Sequence, residues 1–291
     1  MSGQHRSTTY GGSEYVSNSV RLFDGQSLAG WHSVPRLPGA PRPGDPGPNT
    51  QGEAYRNAEQ HPAKWSVVDG AIVGEQDPPG CGYGGYLLTD ETYADFELQI
   101  DAKPDWPADT GVLVRATARG SQGFQILLDH RRSGGIGGFY GNGIGNFRAM
   151  PYAFDVQRDA EGTPIRLVAA DPNGSFRPVT DEDRRLLSYA APIEEFLQVW
   201  KWDEWNTFKI RCVGKYPRLT TWVNGLKVCE LDTESIQLPA YDKDRVAELL
   251  GRAGHIALEV HSNDPGLGKE RWWPGAKCRW KNIQLHAIGD R

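Results

Sequence analysis

Six stretches of this chain alternate apolar and polar residues with a period of two, and this pattern constrains the fold more than any other feature. Alternate residues of a β-strand lie on the same face of a sheet, so each stretch predicts a strand with one buried face. The stretches are DFELQIDAK, TGVLVRA, GFQILLD, WNTFKIRCVG, HIALEVHS and KCRWKNIQLHAI. Their spacing, with few helical patterns between them, predicts an all-β fold of two packed antiparallel sheets. The residues expected between the sheets are Phe96, Val112, Phe124, Phe208 and Leu258.

Tight turns and short helices complete this prediction. Asp69-Gly70 and Asn224-Gly225 are typical of two-residue hairpins, because both residue types tolerate the positive φ that a type I′ turn requires. The helix candidates are short, at Asp181 to Tyr189 and Pro192 to Phe196. The predicted fold is therefore a two-sheet antiparallel β-sandwich, or jelly roll, with long loops and short helices.

One domain is expected to hold most of the 291 residues. Residues 1–19 form a polar N-terminal tail, and residues 20–291 are predicted to form a single β-sandwich domain. Two segments interrupt the strand pattern, a loop rich in proline and glycine from Pro35 to Gly52 and a long insertion at about 131–203. Strand patterns resume after each, so neither is a domain boundary. Long loops of this kind commonly serve as lids or binding loops.

Charge and composition argue against several classes of protein. The formal net charge is −5, and no run of basic residues indicates a nucleic-acid partner. No stretch resembles a membrane span, and the start of the chain lacks the apolar core of a signal peptide. The expected location is the cytoplasm, or the periplasm or exterior if a leader was removed. The four cysteines lack metal-binding spacing and are expected to be free, buried thiols, and no nucleotide cofactor is expected.

The stretch RLFDGQSLAGW, Arg21 to Trp31, combines a strand end, an Asp-Gly turn and a Gly-Trp pair. Further elements follow in order: WSVVDGAIVGE, GGYLLTDETYADFELQIDAK, DTGVLVRA, GFQILLDH, GGFYG, EWNTFKIRCVGKYPRLTTWVNGLKV, and GHIALEVHS with CRWKNIQL. Together these resemble the 3-keto-disaccharide hydrolase family over about Val20 to Leu285. Asp109, Gln125 and Leu127 stand where that family often has Asn, Glu and Gln. The resemblance implies a concanavalin-like sandwich, with Trp31 near a sheet edge.

The resemblance also implies a reaction. A sugar oxidised to a ketone at C3 has an acidic proton at C2, which a general base can remove to give an enediolate. The glycosidic oxygen then leaves from C1 by β-elimination, and addition of water makes the net result a hydrolysis. Such a site needs a base tuned near neutral pH, with a cation or hydrogen-bond donors for the enediolate. It does not need the closely spaced carboxylate pair of a retaining glycosidase.

Three polar residues are the candidates for catalysis. Glu259 and His261 are two residues apart, so one strand would present them on the same face. Histidine ordinarily titrates between pH 5 and 8, which suits a base or a metal ligand. Arg115, placed similarly on its own strand, is expected to hold the enediolate oxygen or a sugar hydroxyl. A groove that holds all three is therefore predicted on the polar face of one sheet.

Further polar residues are weaker candidates. Asp109 and Gln125 are expected to bind substrate. If a divalent cation is used, its expected ligands are Glu259, His261 and Asp129, with His130 as a companion of Asp129.

Aromatic residues are expected to contact sugar rings, whose C–H faces pack well against aromatic side chains. Tyr140, Trp272 and Trp273 lie in or beside predicted loops. Trp222 alternates with Val223 and should therefore face away from the core. The expected partner is thus a carbohydrate or glycoside, and the oligomeric state stays open.

Two other functions remain possible at this point. The run ELDTE, Glu230 to Glu234, matches the Glu-x-Asp-x-Glu pattern of laminarinase-like glycanases, which would make its two glutamates a retaining pair. Thr233 is polar where that motif is usually apolar, and the run follows a predicted hairpin, so a strand end is the favoured interpretation. The second possibility is a non-catalytic carbohydrate-binding module, since a fold alone does not fix a function.

Overall fold

A computed structural model describes residues 19–37, 51–132, 134–171, 178–263 and 266–289 of the chain. The predicted N-terminal tail lies outside these residues except for Ser19, and so does the stretch 38–50 of the loop rich in proline and glycine. Within the described residues the chain forms eighteen strands, four α-helices and two short 3₁₀ turns.

The strands, numbered in chain order, are β1 Ser19–Arg21, β2 Trp31–Pro35, β3 Lys64–Val68, β4 Ala71–Glu75, β5 Gly85–Thr89, β6 Phe96–Pro104, β7 Gly111–Ala116, β8 Gly123–Leu128, β9 Ile136–Asn142, β10 Arg148–Ala149, β11 Phe154–Arg158, β12 Pro164–Ala169, β13 Leu187–Ala190, β14 Asn206–Val213, β15 Arg218–Val223, β16 Leu226–Asp232, β17 His255–Val260 and β18 Lys277–Ala287. The helices are α1 Glu53–Gln60, α2 Asp181–Arg185, α3 Ile193–Val199 and α4 Lys243–Leu250. The 3₁₀ turns are Thr233–Ser235 and Gly268–Glu270.

Two large antiparallel sheets account for most of these strands. The first has nine strands, in the order β13-β16-β15-β14-β6-β18-β4-β3, with β1 paired to β18. The second has seven strands, in the order β10-β9-β8-β7-β17-β5-β2. Strands β11 and β12 form a separate two-stranded ribbon. The predicted fold class, an all-β sandwich of two antiparallel sheets, is therefore confirmed.

One hydrophobic core lies between the two large sheets and contains every side chain that the alternation placed there. These are Phe96, Val112, Phe124, Phe208 and Leu258, each fully or almost fully buried. Core residues alternate along each strand with residues on the opposite face, as a pleated strand with one inward face requires.

The seven-stranded sheet also carries a smaller apolar cluster on its outer face. Its members are Tyr86, Leu88, Leu113, Ala116 and Ala257. This cluster alternates with core residues along β5, β7 and β17, so the outer face of this sheet is covered rather than open to solvent. The candidate site lies on the same outer face.

Both predicted hairpins are confirmed with the expected backbone geometry. Asp69-Gly70 joins β3 to β4 with φ values of 49° and 72°. Asn224-Gly225 joins β15 to β16 with φ values of 48° and 88°. Positive φ at both central residues is the condition for a type I′ turn, whose twist matches that of paired strands.

The opening stretch carries the chain from one sheet to the other. Strand β1 pairs with β18 in the nine-stranded sheet, and β2 forms the edge of the seven-stranded sheet. Between them, Asp24 Oδ1 accepts hydrogen bonds from the backbone of Gln26 and Ser27 at 2.7 and 2.8 Å. The buried Trp31 donates from Nε1 to the carbonyl of Leu22 at 2.7 Å, which fixes this crossing at the sheet edge.

The helix predictions are partly wrong. Helix α2 begins as expected, with a capping box between Thr180 and Asp183, but it ends at Arg185. The next residues, Leu187–Ala190, form β13 because they pair with β16 at the sheet edge. Helices α1 and α4 were not expected at all, and the described helices are therefore more numerous than the alternation suggested.

The insertion at about 131–203 contains more strand than its irregular sequence suggests. Strands β9 and β10 extend the seven-stranded sheet, and the ribbon β11–β12 follows. Glycines in β9 permit this close packing, since Gly137 has a φ of 78° and a Cβ there would lie 2.8 Å from Val228 Cγ1.

None of the helices in the described residues is long and apolar enough to cross a lipid bilayer.

Candidate functional site

The candidate site lies at one end of the outer face of the seven-stranded sheet. The register pairs Pro35 with Gly85, Gly85 with Val260, and Gly111 with Leu127. The ends of β2, β17 and β8 and the starts of β5 and β7 therefore meet at this end. Residues just outside these strand ends, together with residues within β8 and β9, line a cavity of about 320 Å³.

Arginines dominate the lining of this cavity, which is called the arginine cavity below. It is lined by the cationic residues Arg36, Arg131, Arg148 and Arg271. Two carboxylates, Asp109 and Asp129, and the imidazole of His261 lie among them. Gln125, Tyr140 and Asn142 complete its polar wall. A cavity of this size is at the lower end of the range that binds small molecules.

Glu259 lies beneath the arginine cavity rather than in its wall. Its side chain on β17 is completely buried, where an unpaired charge would be strongly disfavoured. Its carboxylate accepts from Arg36 Nε at 2.9 Å and from Gln125 Nε2 at 2.5 Å, and Tyr86 also hydrogen-bonds to it. Burial raises the pKa of Glu259, although Arg36 opposes this shift. With its oxygens fully occupied, Glu259 can hold its neighbours in place but cannot reach a ligand.

Arg36 links Glu259 to His261. It follows β2 directly, and its backbone N–H donates to the carbonyl of Gly84 at 3.0 Å. Its guanidinium donates from Nε to Glu259, from Nη1 to Ser262 Oγ at 2.8 Å, and from Nη2 to His261 Nε2 at 2.9 Å. The planar guanidinium of Arg36 thus orients both Glu259 and His261.

His261 is held as a neutral ring of defined tautomer. Its Nδ1 lies 2.5 Å from the carbonyl of Ser262, which can only accept, so Nδ1 carries the proton. Its Nε2 then accepts from Arg36, and Arg271 Nη1 lies 3.4 Å away. Burial and the positive charge of Arg36 hold the pKa of His261 well below its ordinary value. His261 therefore stays uncharged at neutral pH, and its free lone pair is already engaged by arginine.

Asp109 organises a second group of charges. A bridge between Ala108 and Trp272 brings Asp109 next to Arg271, and the two side chains form a short hydrogen bond. Arg131 Nη2 approaches the same oxygen at 3.5 Å. Burial alone would raise the pKa of Asp109, but the neighbouring positive charges hold it well below its ordinary value. Asp109 is therefore a permanent anion that anchors two guanidinium groups.

Asp129 differs from Asp109 in its tendency to hold a proton. It follows β8, and its carboxylate lies 3.0 Å from Arg131 Nη2 while accepting from the backbone N–H of Arg131 at 3.2 Å. Burial, reinforced by the charge of Asp109, raises the pKa of Asp129 to about 7 in spite of Arg131. A carboxyl group with this pKa in a cavity can both take up and release a proton near neutral pH.

The arrangement therefore combines one tuned carboxyl group with several fixed positive charges. Arg131 Nε is buried and has no hydrogen-bond partner among the described residues. Fixed guanidinium groups in a cavity shielded from water can stabilise negative charge that develops on a bound molecule. Chemically, the site can accept a proton from a carbon acid and stabilise the resulting oxyanion.

Arg115 does not belong to this site, and the predicted grouping of Arg115 with Glu259 and His261 is wrong. Its guanidinium is buried elsewhere, with Nη2 3.0 Å from Asp95 and Nη1 3.2 Å from the carbonyl of Gly251. The physical reason is a break in the pleat. Arg115 has a φ of 52°, and the pairing between β17 and β7 shifts register beside it, so alternation no longer predicts its face.

The structure separates the other predicted ligand residues into two groups. Asp109, Gln125, Asp129 and Tyr140 all line the arginine cavity. Trp272 is completely buried in the core, and its Nε1 donates to the carbonyl of Ala276 at 3.1 Å, so it cannot contact a ligand as predicted.

Trp222 faces away from the core as its alternation indicated, but it does so on the nine-stranded sheet. Lys209 Nζ lies 4.0 Å from the centre of its ring. The hydrophobic core separates this face from the arginine cavity, and the predicted role of Trp222 in binding substrate there does not fit its position.

The predicted metal ligands do not fit a divalent cation in this arrangement. Glu259 is occupied by Arg36 and Gln125, and His261 Nε2 faces two guanidinium groups that would repel a cation. His130 turns away from Asp129 and packs against the rings of two tryptophans. Among the described residues, no group of three or more His, Cys, Asp or Glu side chains is placed to bind a metal ion.

The ELDTE run lies away from the arginine cavity, at the end of β16. Glu230 forms ion pairs with Lys227 at 3.0 Å and Arg218 at 3.4 Å, and its pKa is lowered rather than raised. Glu234 lies in the following 3₁₀ turn and pairs with Lys243 at 3.0 Å. Glu230 is therefore not in an environment that would keep it protonated, as the general acid of a glycanase requires.

The important residues that the sequence analysis missed are Arg36, Arg131 and Arg271. Arg36 stands 223 positions before its partner Glu259. Arg131 directly follows the quoted GFQILLDH run, so its proximity to Asp129 was the one available signal. Arg271 has no distinctive local pattern, because a single arginine beside two tryptophans is equally common on an ordinary surface.

Comparison with known families decides what kind of chain carries this site. The sequence profile of the 3-keto-alpha-glucoside-1,2-lyase-like domain matches residues 18–286.

This chain belongs to that family.

The family match confirms the resemblance noted in the sequence and points to a carbohydrate-active domain related to 3-keto-glycosides. None of the curated proteins compared with the chain matches it.

Several solved structures resemble the chain at low sequence identity. A candidate glycosyl hydrolase of Parabacteroides distasonis is 16% identical, with 94% of each chain covered and a TM-score of 0.47. The carbohydrate-binding module CBM66 of Bacillus subtilis is 11% identical, covers 77% of this chain and 92% of its own, and gives a TM-score of 0.41. A Bacillus subtilis protein with a galectin-like fold is 13% identical, with 94% and 96% covered and a TM-score of 0.40.

Proposed function

We propose that this protein cleaves 3-keto-glycosides by removing the C2 proton, eliminating the glycosidic oxygen and adding water. The observation that carries the proposal is the presence of Asp129, a buried carboxyl group with a pKa of about 7, in a cavity lined by arginines. The family match supplies the substrate class. The chemistry of a carbon acid requires both a base of this strength and positive charge for the oxyanion.

Asp129 is the proposed general base. Its carboxylate takes the proton from C2, the C2–H electron pair forms the C2–C3 double bond, and negative charge moves to the oxygen on C3. In the next step the electron pair on the C3 oxygen re-forms the C3 carbonyl, and the electrons of the C2–C3 double bond shift to form a C1–C2 double bond. The bond between C1 and the glycosidic oxygen breaks as they do so. The protonated Asp129 can return its proton to the departing oxygen, which leaves as an alcohol.

Arginines stabilise the intermediate in this proposal. The enediolate oxygen would lie against Arg131 and Arg271, which both line the arginine cavity, and Arg131 Nε is buried with no partner among the described residues. Asp109 holds both guanidinium groups in place before the substrate arrives. Groups that are already oriented need no rearrangement as charge develops, which is the main source of such stabilisation.

Glu259 and His261 take positioning roles here instead of the base role expected from the sequence. His261 is neutral, and its only basic nitrogen accepts from Arg36, so it is a poor base. Glu259 is completely buried below Arg36 and Gln125. Both residues fix the arginine that closes one side of the cavity. Addition of water to the C1–C2 double bond then completes the net hydrolysis.

The experiment that tests this function uses the purified protein with methyl 3-keto-α-glucoside in D₂O, followed by mass spectrometry. The expected result is release of methanol together with incorporation of deuterium at C2. The Asp129→Asn variant should lose about 10²-fold or more in turnover, a typical loss for a missing general base. It should also lose the exchange at C2, because exchange needs only the base.

The matched control is Glu230→Gln, which neutralises a carboxylate of the ELDTE run outside the cavity and should keep wild-type turnover. Unoxidised methyl α-glucoside should not react, because its C2 proton is not acidic. Cleavage of the unoxidised glycoside, or wild-type exchange by Asp129→Asn, would overturn the proposal. Tight binding of the sugar with neither exchange nor cleavage would instead identify a carbohydrate-binding module.

A further inference from the structure

A second, larger cleft lies beside the arginine cavity and is rich in tryptophan. It has a volume of about 420 Å³ and is called the aromatic cleft below. Its lining includes Trp106, Trp202 and Trp273, together with His130, Asp105 and Asp203. Trp273 is 52% exposed, an unusually large exposed fraction for the largest apolar side chain. The arrangement offers flat apolar surfaces next to carboxylates that can accept hydrogen bonds.

The aromatic cleft and the arginine cavity flank the same short segment of chain. Asp129 lines the arginine cavity, and the next residue, His130, lines the aromatic cleft. The centres of the His130 and Trp202 rings are 5.7 Å apart. Two consecutive residues beyond β8 thus point into two different binding spaces.

A third cavity of about 280 Å³, the middle cavity, lies between the two. It shares Arg131 with the arginine cavity and Trp106 with the aromatic cleft. Arg158 lies 5.0 Å above the ring of Trp106, and Arg132 and Glu270 also line this space. The three spaces therefore lie next to one another in a row, each neighbouring pair divided by a shared side chain.

The aromatic cleft also contains polar atoms that lack partners. His130 is almost completely buried, and its Nδ1 has no hydrogen-bond partner among the described residues. Trp106 Nε1 likewise has no hydrogen-bond partner among the described residues. Buried polar atoms are nearly always satisfied in folded proteins, so unsatisfied atoms beside a cleft favour a polar ligand.

Both carboxylates that line the cleft are paired with cations, which favours an uncharged ligand. Asp203 pairs with Lys103 at 3.1 Å, and Asp105 pairs with Arg279 at 2.6 Å. Burial lowers the pKa of His130 to about 3, so its ring is neutral at physiological pH. A ligand that combines flat C–H faces with many hydroxyl groups and no charge fits these features, and a neutral sugar ring has this chemistry.

We propose that the aromatic cleft is a subsite for a distal sugar ring of a neutral oligosaccharide whose reacting ring occupies the arginine cavity. This proposal rests on the proposed function for the chemistry in the arginine cavity, but the subsite itself depends only on the cleft. The chain would pass through the middle cavity, so that three rings fill the row. The substrate is then a trisaccharide or longer, and a single keto-sugar uses only part of the site.

The test measures binding of unoxidised sugars by titration calorimetry. The probes are methyl α-glucoside, the maltose series and the cellobiose series, each from two to four rings. In at least one series, the affinity should rise from methyl α-glucoside, which supplies the single ring, through the disaccharide to the trisaccharide. The Trp273→Ala variant should lose about tenfold in affinity for that trisaccharide.

The matched control is Trp222→Ala, which removes a tryptophan from the face of the other sheet and should bind like the wild type. The proposal is overturned if neither series binds more tightly than methyl α-glucoside. Equal losses in the two tryptophan variants would overturn it as well.

Turnover separates this proposal from the proposed function. The ratio of kcat/KM for a 3-keto-trisaccharide to that for methyl 3-keto-α-glucoside should fall about tenfold in Trp273→Ala. If no keto-sugar is cleaved but the trisaccharide binds through Trp273, the proposed function fails and the subsite stands. If both keto-substrates are cleaved equally well by the wild type, the subsite fails and the function stands.

Discussion

Arg36 is the residue whose removal should reveal most about the site, because it pairs with a carboxylate that has no contact with water. In Arg36→Met, Glu259 loses its cation while keeping the bond from Gln125. Breaking a buried ion pair from one side typically destabilises a protein by about 3–5 kcal/mol. The Arg36 side chain is 21% exposed, so the lower end applies, and we expect a loss of about 3 kcal/mol.

The destabilisation should depend on pH in a defined direction. Burial already raises the pKa of Glu259, and Arg36 is the main group that opposes this rise. Without Arg36 the pKa should rise further, so the variant can relieve the buried charge by taking up a proton as the pH falls. The loss of stability should therefore be largest at pH 8 and smaller at pH 5. The pKa of His261 should rise in the same variant, since Arg36 also lowers it.

Thermal unfolding of the variants at both pH values measures this effect. A loss of about 3 kcal/mol corresponds to a fall in Tm of about 5 °C at pH 8 for a chain of 291 residues. The double variant Arg36→Met with Glu259→Gln should recover about 2 kcal/mol of that loss, because no buried charge is left. Arg218→Met, which removes an exposed partner of Asp232, is the control and should change stability by less than about 1 kcal/mol. A double variant no more stable than Arg36→Met would refute the pairing argument.

Four further predictions concern activity and stability. The kcat/KM for methyl 3-keto-α-glucoside should rise with pH through about 7 as Asp129 loses its proton, and a profile flat from pH 5 to 8 would contradict this role. Because the folded pKa of Asp129 is raised, this group contributes stability at low pH that is lost as the pH rises towards 7, so Asp129→Asn should show a smaller fall in Tm between pH 5 and pH 8 than the wild type. Excess EDTA should leave turnover unchanged, and loss of activity that added Mg²⁺ or Ca²⁺ restores would show that a cation is needed. Arg115→Met should lower the stability by about 3 kcal/mol, the lower end of the range for a buried ion pair, because Asp95 keeps its second partner Arg252, and it should not alter KM, which steady-state kinetics would check.

Much of the fold could be predicted because it depends on local patterns. Alternation in HIALEVHS correctly assigned Leu258 to the core and Glu259 to the other face. The Asn-Gly and Asp-Gly pairs fixed two hairpins, since few other residues tolerate positive φ at both positions. The sequence signals for helix α4 were equally local, since Asp242 caps its start and Gly251 lies at its end. These two residues could have located the helix.

The site was less predictable because its residues lie where the regular patterns end. Asp109 and Gln125 line the arginine cavity, beside or within well-formed strands, and their binding of substrate stays a prediction. Alternation failed at Arg115, where a single residue with positive φ turned the side chain away from its expected face. His261 lies just beyond β17, so its direction depended on Arg36 and Ser262 and not on the pleat.

The sequence by itself determined which residues face the core and where the two hairpins turn, because both depend on neighbours within a few positions. Only the tertiary structure decided which charges meet. Arg36 reaches Glu259 across 223 positions because β2 and β17 flank β5, and this pairing leaves no trace in either local sequence. The distinction between Asp109 and Asp129 has the same origin. Both are buried aspartates, but the first lies against Arg271 as well as Arg131, and the second has less positive charge around it, so one stays an anion while the other titrates near neutral pH.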